Sequence, residues 1–180
     1  MVPDHPIDRR TVLKTTGGLL GASAVSGAAM AQQGTESGGQ QPLDKRIGML
    51  TTGGQNFYTV PIRWVEQGTT VVWQLVGGTH STTAYAAAND KPNRIPSEAE
   101  SWDSAVLTQS GATFERQFTV PGVYDYFCRP HEGLGMVGRL VVGSPDLSTQ
   151  PALAEPQDSL PTAAQNAVSA LNALTRVVFG

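Results

Sequence analysis

The chain has 180 residues, which suits one modest domain with tails, and its 12 basic and 15 acidic residues leave a net charge of −3. So mild a charge argues against a nucleic-acid-binding surface and against strong electrostatic attraction to a membrane. The single cysteine, Cys128, has no partner within the chain for a disulfide, so it is either a small buried apolar residue or a functional thiol.

Residues 1–31 have the features of an export signal. The segment from Asp8 to Lys14 resembles the twin-arginine motif, a mildly apolar stretch runs from Gly17 to Met30, and Ala29-Met30-Ala31 has the form of a cleavage site. Glycine, serine and alanine dilute the apolar stretch, so an uncleaved membrane anchor is the weaker alternative. We therefore predict export to the periplasmic or extracellular side of the cytoplasmic membrane, followed by a polar linker at 32–43.

The predicted domain spans residues 44–143, where short apolar runs alternate with glycine and proline turn signals, a pattern typical of a β-sandwich or β-barrel. In the segment 69–76, alternate residues are apolar, as in a strand with one buried face. Segments 114–120 and 123–128 are predicted to form a hairpin around Pro121-Gly122. Because side chains alternate along a strand, Cys128 should face inward on the second of these strands, together with Tyr124 and Tyr126.

Two further segments surround this pattern. Residues 86–104 are predicted to form a long loop packed by Trp102, and its role is unassigned. Residues 144–180 are predicted to form a proline-rich tail and a short amphipathic helix, capped by Ser159 and ending near Val178. Its apolar stripe comprises Ala164, Val168, Leu171, Leu174 and Val178. The helix either docks on its own domain or frays in solution, or else contacts a membrane surface or a partner.

Potential metal ligands are concentrated in one loop. Cys128, His131 and Met136 place a thiolate, an imidazole and a thioether within nine residues, after a predicted strand. A second imidazole must come from elsewhere, and outside the export signal only His80 remains, directly after Gly77-Gly78-Thr79. Two imidazoles, one thiolate and a weak thioether are typical of type 1 (blue) copper sites. Zinc also accepts cysteine and histidine but seldom methionine, so we predict one copper ion cycling between Cu(II) and Cu(I).

The sequence resembles the plastocyanin and halocyanin branch of the blue copper proteins, which have the cupredoxin fold. The matching segments are Gly68 to Trp73, His80, Pro121 to Cys128, Pro130-His131 and Gly135 to Gly138. The resemblance implies an all-β Greek-key β-sandwich, with His80, Cys128 and His131 as equatorial ligands and Met136 as the axial ligand. It also implies one-electron transfer and no enzymatic activity. The expected partners are transient: membrane respiratory or photosynthetic complexes, or soluble oxidoreductases.

The surroundings of the expected site depart from the family in one place. Ser81 stands where the family usually has asparagine, so we expect Ser81, beside Thr79, to bond across to the cysteine loop and to retune or loosen the site. Pro130, Gly133, Leu134 and Gly135 carry no charge and are expected to frame the His131 ring as a docking surface for redox partners.

Copper storage or delivery and enzymatic activity are the alternative classes of function for such a chain. A copper storage or delivery module would also bind the ion, but it would favour an exposed site rich in methionine or histidine, which this chain lacks. A multicopper enzyme would need a second copper site, for which too few histidines remain. A thiol enzyme would instead need Cys128 accessible beside a base.

Overall fold

The structure is a computed structural model that describes residues 45–180, so the predicted export signal at 1–31 and the linker at 32–43 lie outside the described residues. It contains eight strands and one α-helix, and these are β1 Arg46–Thr52, β2 Gln55–Tyr58, β3 Ile62–Val65, β4 Thr69–Leu75, β5 Thr83–Ala84, β6 Thr113–Phe118, β7 Gly122–Phe127, β8 Val137–Val142 and α1 Thr162–Phe179. Within residues 45–180, no helix has the length and hydropathy needed to cross a membrane.

The strands form two four-stranded mixed sheets that pack as a sandwich, in agreement with the all-β prediction. The first sheet has the order β2-β1-β4-β6 and the second the order β3-β8-β7-β5. The pairs β1–β4 and β3–β8 are parallel and the remaining neighbours are antiparallel. Parallel neighbours cannot be joined by a tight turn, so the chain must cross between the sheets. In the second sheet, β5 and β7 pair antiparallel, so the end of β7 lies beside the start of β5.

The core lies between the two sheets and is aromatic at its centre. Val71, Trp73 and Leu75 on β4 are buried, which confirms the inward face predicted from their alternation. Trp73 contacts Tyr126 at 5.4 Å and Trp102 at 5.8 Å between ring centroids. Edge-to-face and tilted contacts of this kind add about 0.5–1.5 kcal/mol each beyond area burial. This rigid centre supports the end of the sandwich at which β7 terminates.

The predicted hairpin between β6 and β7 is wrong. β6 pairs with β4 in the first sheet, whereas β7 pairs with β8 and β5 in the second. The Pro121-Gly122 segment does turn the chain, but it carries the chain across the sandwich instead of back along the same sheet. At the crossing, the Tyr124 hydroxyl donates to the Val120 carbonyl at 2.6 Å. Neighbouring strands in sequence need not pair in a sandwich of crossing connections, so the turn signal alone does not decide the pairing.

The long loop after β5 is packed by Trp102, as predicted. Trp102 is 4% exposed, and its indole N–H donates to the Thr82 hydroxyl at 3.1 Å. Two ion pairs join this loop to the segment after β7: Lys91 with Glu132 at 2.5 Å and Asp103 with Arg129 at 2.8 Å. The loop therefore holds the Arg129–Leu134 turn from two points.

The helix α1 docks on the second sheet, which is the first of the two alternatives left by its amphipathic pattern. Its cap prediction is wrong, because Pro161 occupies the N-cap position and Ser159 lies outside the helix. Three of the five residues predicted for its apolar stripe are buried, Ala164, Val168 and Leu171, whereas Leu174 and Val178 are 50% and 63% exposed. Towards its end, the helix instead buries the polar Asn172 and Thr175.

Those polar residues meet a buried charge cluster formed by Arg94, Asp125 and Arg139, none of which is exposed. Asp125 accepts from Arg94 Nε at 2.9 Å and from Arg139 Nε and Nη2 at 2.6 and 3.0 Å. The guanidinium groups also donate to Asn172, Thr175 and tail carbonyls, including that of Ala152. Every acceptor except Asp125 comes from the tail, so this cluster fastens residues 152–175 to β7 and β8.

Candidate metal centre

Three potential ligands converge at one end of the sandwich. His80 precedes β5 and is fixed by paired backbone bonds with Leu107, Cys128 follows β7, and His131 lies in the short 3₁₀ turn Arg129–Leu134. Cys128 Sγ lies 3.6 Å from His80 Nδ1 and 3.4 Å from His131 Nδ1, and the two Nδ1 atoms are 3.1 Å apart. Among the His, Cys, Asp and Glu side chains of residues 45–180, His80, Cys128 and His131 are the group close enough together to hold a metal ion.

The size of this triangle suits a metal ion. A point equidistant from three atoms at these separations lies about 2 Å from each, close to the usual metal–nitrogen and metal–sulfur bonds of about 2.0–2.3 Å. His80 and Cys128 are fully buried and His131 is half-buried. The arrangement therefore offers a trigonal set of one sulfur and two nitrogens shielded from bulk water.

The protonation of these groups follows from their burial. Burial raises the pKa of the Cys128 thiol, and hydrogen bonds from the backbone N–H groups of Ser81 and His131 offset part of the rise. Burial and then repulsion from His131 lower the pKa of His80, while burial alone lowers the pKa of His131. Near neutral pH the metal-free site thus holds a thiol and two neutral imidazoles. A metal ion must displace the thiol proton, so its affinity should rise with pH.

Met136 closes the loop that begins at Cys128. Its side chain is 2% exposed and belongs to the same core cluster as Cys128. The Cys128 N–H donates to the Met136 carbonyl at 3.1 Å, and the Met136 N–H donates to the His131 carbonyl at 3.1 Å. These backbone bonds bring the thioether residue back to the end of the sandwich from which the loop started.

Ser81 bonds across to the cysteine loop, as its position in the sequence predicted. The Arg129 N–H donates to Ser81 Oγ at 2.8 Å, and the Ser81 N–H approaches Cys128 Sγ at 3.4 Å. The Thr83 hydroxyl donates its single proton to Asp103 at 2.9 Å. Thr83 Oγ1 therefore accepts the hydrogen bond from the Ser81 hydroxyl at 3.2 Å. A hydrogen-bonded chain therefore runs from the cysteine loop through Ser81 to the long loop.

The surface beside His131 is apolar at its outermost point. Leu134 is 68% exposed, and Pro130 and Gly133 are also exposed around the half-buried His131. The charged residues of the same turn face other groups, since Arg129 and Glu132 are paired with Asp103 and Lys91. Thr79, expected near the site, is exposed. Pro130, Gly133 and Leu134 thus form an uncharged patch beside the edge of the His131 imidazole.

Sequence reasoning missed two residues behind His80: Thr51, which contacts the ring directly, and Asn56, which contacts Thr51. The Thr51 hydroxyl lies 3.0 Å from His80 Nε2 and bonds to Asn56 Oδ1 at 2.7 Å. The segment Thr51-Thr52-Gly53-Gly54-Gln55-Asn56 carries a two-residue glycine turn, a known hairpin signal that could have paired Thr51 with Asn56. No local signal placed that hairpin against His80, which is 29 residues away in the sequence.

Comparisons with known proteins agree with this geometry. A family model of copper-binding proteins of the plastocyanin/azurin family matches residues 49–143. Chloroplastic plastocyanin of Oryza sativa subsp. indica is 29% identical over 147 residues, which cover 79% of this chain and 91% of that protein. Halocyanin of Natronomonas pharaonis is 34% identical over 102 residues, covering 52% of this chain and 54% of that protein.

Other matches are shorter or concern the fold alone. The minor plastocyanin isoform of Arabidopsis thaliana is 48% identical over 40 residues, and the matched segment spans 23% of that protein. Among solved structures, the pseudoazurin of Methylobacterium extorquens AM1 superposes with a TM-score of 0.55 at 21% identity, covering 72% of this chain and 96% of that one. At this identity the superposition establishes a shared fold.

Proposed function

The chain belongs to the plastocyanin/azurin family of copper-binding proteins, and on that premise we propose that it carries single electrons between redox partners outside the cytoplasmic membrane. We assign His80, Cys128 and His131 as equatorial ligands of one type 1 copper ion and Met136 as its axial ligand. The observation that carries this assignment is the triangle of Sγ and two Nδ1 atoms with sides of 3.1–3.6 Å.

The donor set explains why electron transfer suits this site. Copper bound to two imidazoles, a thiolate and a weak thioether exchanges one electron between its cupric and cuprous states. The protein holds both imidazoles and the thiolate in place through backbone bonds and buried packing, so the ligands need little rearrangement between the two states. A complete, shielded ligand set leaves no position for substrate or water, which argues against hydrolytic catalysis.

Electrons would enter and leave through His131. It is the one assigned equatorial ligand that is not fully buried, and the exposed Leu134 stands beside it in the same turn. A small uncharged contact of this kind suits transient redox encounters, which bury less than about 1,200 Å². The expected partners are membrane respiratory or photosynthetic complexes or soluble oxidoreductases.

The proposed location depends on the N-terminal segment. The twin-arginine-like sequence at 8–14 and the cleavage pattern at 29–31 support export to the periplasmic or extracellular side, with residues 32–43 as a linker and 44–143 as the copper domain. Cell fractionation checks this: Arg9→Lys together with Arg10→Lys should retain the protein in the cytoplasm.

The ligand assignment is tested by adding copper(II) to the purified chain and recording its visible spectrum. We expect an intense thiolate-to-copper absorption band, and Cys128→Ser should abolish it because the thiolate is one of the two partners in the transition. Met136→Leu should keep the band but raise the reduction potential, since losing the thioether donor destabilises the cupric state. Met49→Leu, a buried methionine of the same core, is the matched control and should leave the potential unchanged. A folded protein that stays colourless with stoichiometric copper would refute the assignment.

The docking surface is tested by electron self-exchange between two copies of the copper-loaded protein, measured by NMR line broadening. Leu134→Glu should slow self-exchange about tenfold, because a charge forced into the contact costs on the order of 1.4 kcal/mol. Val177→Glu, which alters an 82% exposed residue near the end of α1, is the control. Equal rates for both variants would contradict a docking role for Leu134.

Storage or delivery of copper is the competing function, and exchange kinetics separate the two. The burial of Cys128 and His80 favours the electron carrier, because a delivery module needs an exchangeable ion. We expect slow loss of copper to a chelator together with rapid reversible reduction. Fast loss would favour delivery.

A further inference from the structure

The imidazole of His80 has a second polar contact on the side away from Cys128. Its Nδ1 faces Cys128 Sγ, while its Nε2 lies 3.0 Å from the hydroxyl oxygen of Thr51. His80 itself is fully buried, so its Nε2 needs a partner within the protein. Thr51, in contrast, is exposed to solvent.

The direction of the Thr51 contact follows from the next hydrogen bond. The Thr51 hydroxyl donates to Asn56 Oδ1 at 2.7 Å. A hydroxyl has a single proton, so towards His80 its oxygen can only accept, and the donor must be the Nε2–H of the ring. This assigns the proton of His80 to Nε2 and leaves the lone pair of Nδ1 directed at the sulfur and His131.

The backbone makes this arrangement specific. Thr51 and Asn56 are directly opposite each other in the β1–β2 hairpin, on either side of the Gly53-Gly54 turn, and the Thr51 N–H donates to the Gly77 carbonyl at 3.1 Å. Gly78 has a φ of +89°, and a Cβ there would collide with Thr51 Oγ1 and lie 2.9 Å from His80 Nε2. The glycine therefore keeps open the space in which the hydroxyl meets the ring.

From this geometry we infer that Thr51 and Asn56 are positioning residues: they fix the tautomer and the orientation of His80 for metal binding. The inference rests on the proposed role of His80 as a copper ligand. Groups that bond to the far nitrogen of a ligating histidine commonly change metal affinity by about 10–100-fold. Because Thr51 is accessible to water, which can partly replace its oxygen, we expect an effect at the lower end of that range.

The test compares Thr51→Val, which keeps the side-chain shape but removes the hydroxyl, with Thr51→Ser, which retains it. Thr52→Val is the matched control, because the next residue of the strand points to the opposite face. The first measurement is ¹⁵N NMR of the metal-free chain at about pH 8, where histidine is neutral. Native protein and Thr51→Ser should show a protonated Nε2 in slow exchange with water, and Thr51→Val should speed that exchange about tenfold, because the N–H loses the hydrogen bond that protects it.

The second measurement is copper affinity, by competition with a chelator. Thr51→Val should bind copper about tenfold more weakly than Thr52→Val, with Thr51→Ser restored to within about threefold of the native protein. Asn56→Ala frees the Thr51 hydroxyl to donate towards His80 Nε2, which favours the ring with its proton on Nδ1. This variant should also bind copper more weakly. Circular dichroism establishes that each variant is folded.

The outcomes separate this inference from the proposed function. A proton on Nδ1 of His80 in the native metal-free chain overturns the inference, as does a Thr51→Val variant that matches Thr52→Val in both measurements. Failure of the native chain to turn blue with copper overturns the proposed function instead, and the tautomer measurement still decides the role of Thr51.

Discussion

The two faces of β7 are both buried but are stabilised in opposite ways. On the inner face, Tyr124 and Tyr126 lead to Cys128 and pack among aromatic rings. On the outer face, Asp125 lies between two guanidinium groups under the tail. One face therefore carries neutral, polarisable groups next to the proposed copper ligands, and the other carries a buried carboxylate with two buried cations.

The difference between the two faces indicates that the outer face of β7 contributes mainly to stability and the inner face mainly to the proposed copper site. A buried ion cluster is costly to desolvate and is retained only when every charged atom finds partners, as Arg94, Asp125 and Arg139 do. The inner face of β7 carries no such charged side chain, so a metal bound at Cys128 would place a positive charge against neutral groups of this strand. We therefore expect outer-face substitutions to change unfolding free energy and inner-face substitutions to change the copper properties.

Asp125→Asn is expected to have the largest effect on stability. It leaves two buried guanidinium groups without their counter-charge, and we expect a loss of about 3–5 kcal/mol in the free energy of unfolding, measured with urea. The exposed Asp158 provides the control, and Asp158→Asn should change stability by less than about 0.5 kcal/mol. The thiolate-to-copper band of the folded variant should persist, because Asp125 faces away from Cys128. A cost below about 1 kcal/mol would show that the cluster is not what secures the tail.

A smaller loss is expected from Leu171→Ala, which tests the apolar part of the same outer face. Leu171 is 4% exposed and packs with Phe127, Val137 and Val168. Truncating a buried leucine typically costs about 2–5 kcal/mol through lost burial and the cavity left behind, and we expect the lower half of that range here. Leu174→Ala, at a half-exposed position of the same helix, should cost under about 1 kcal/mol by thermal denaturation. Equal costs would mean that α1 is not docked in solution.

The smallest effect concerns the ion pair that joins the long loop to the cysteine loop. Burial would raise the pKa of Asp103, but hydrogen bonds from Arg129 and Thr83 outweigh it, and the pKa is lowered. A carboxylate whose pKa is lowered by folding stabilises the fold at pH values above its ordinary pKa. That contribution is lost as the pH falls through the lower pKa of the folded state. Asp103→Asn should therefore cost under about 1 kcal/mol at neutral pH, since the pair is partly exposed.

Measuring unfolding free energy between neutral pH and about pH 3 checks this sign. The difference between native protein and Asp103→Asn should shrink as the pH falls below about 4. Glu98→Gln, at an exposed carboxylate of the same loop, supplies the baseline. A difference that grows towards acid would contradict the assigned direction.

Much of the fold was predictable from local patterns. The hairpin and part of the helix stripe were predicted wrongly because a local pattern does not specify which surface an element packs against. Alternation placed Val71, Trp73 and Leu75 in the core and Cys128 on the inner face, because a strand's two faces are set by residue order alone. The supposed hairpin of β6 and β7 failed because Pro121-Gly122 specifies a turn but not the sheet to which the chain returns. The helix stripe failed at Leu174 because its last turns cover the polar Asp125 cluster, not an apolar surface.

The amino-acid sequence alone specifies the kinds of donor and their spacing in one loop, since Cys128, His131 and Met136 lie within nine residues and need only a turn to face one another. It also indicates the family, whose model matches residues 49–143. The surroundings of those donors depend on contacts between distant parts of the chain: Arg94 meets Asp125 across 31 residues and Thr51 meets His80 across 29. Such contacts depend on how strands cross between sheets, and no short stretch of sequence records that path.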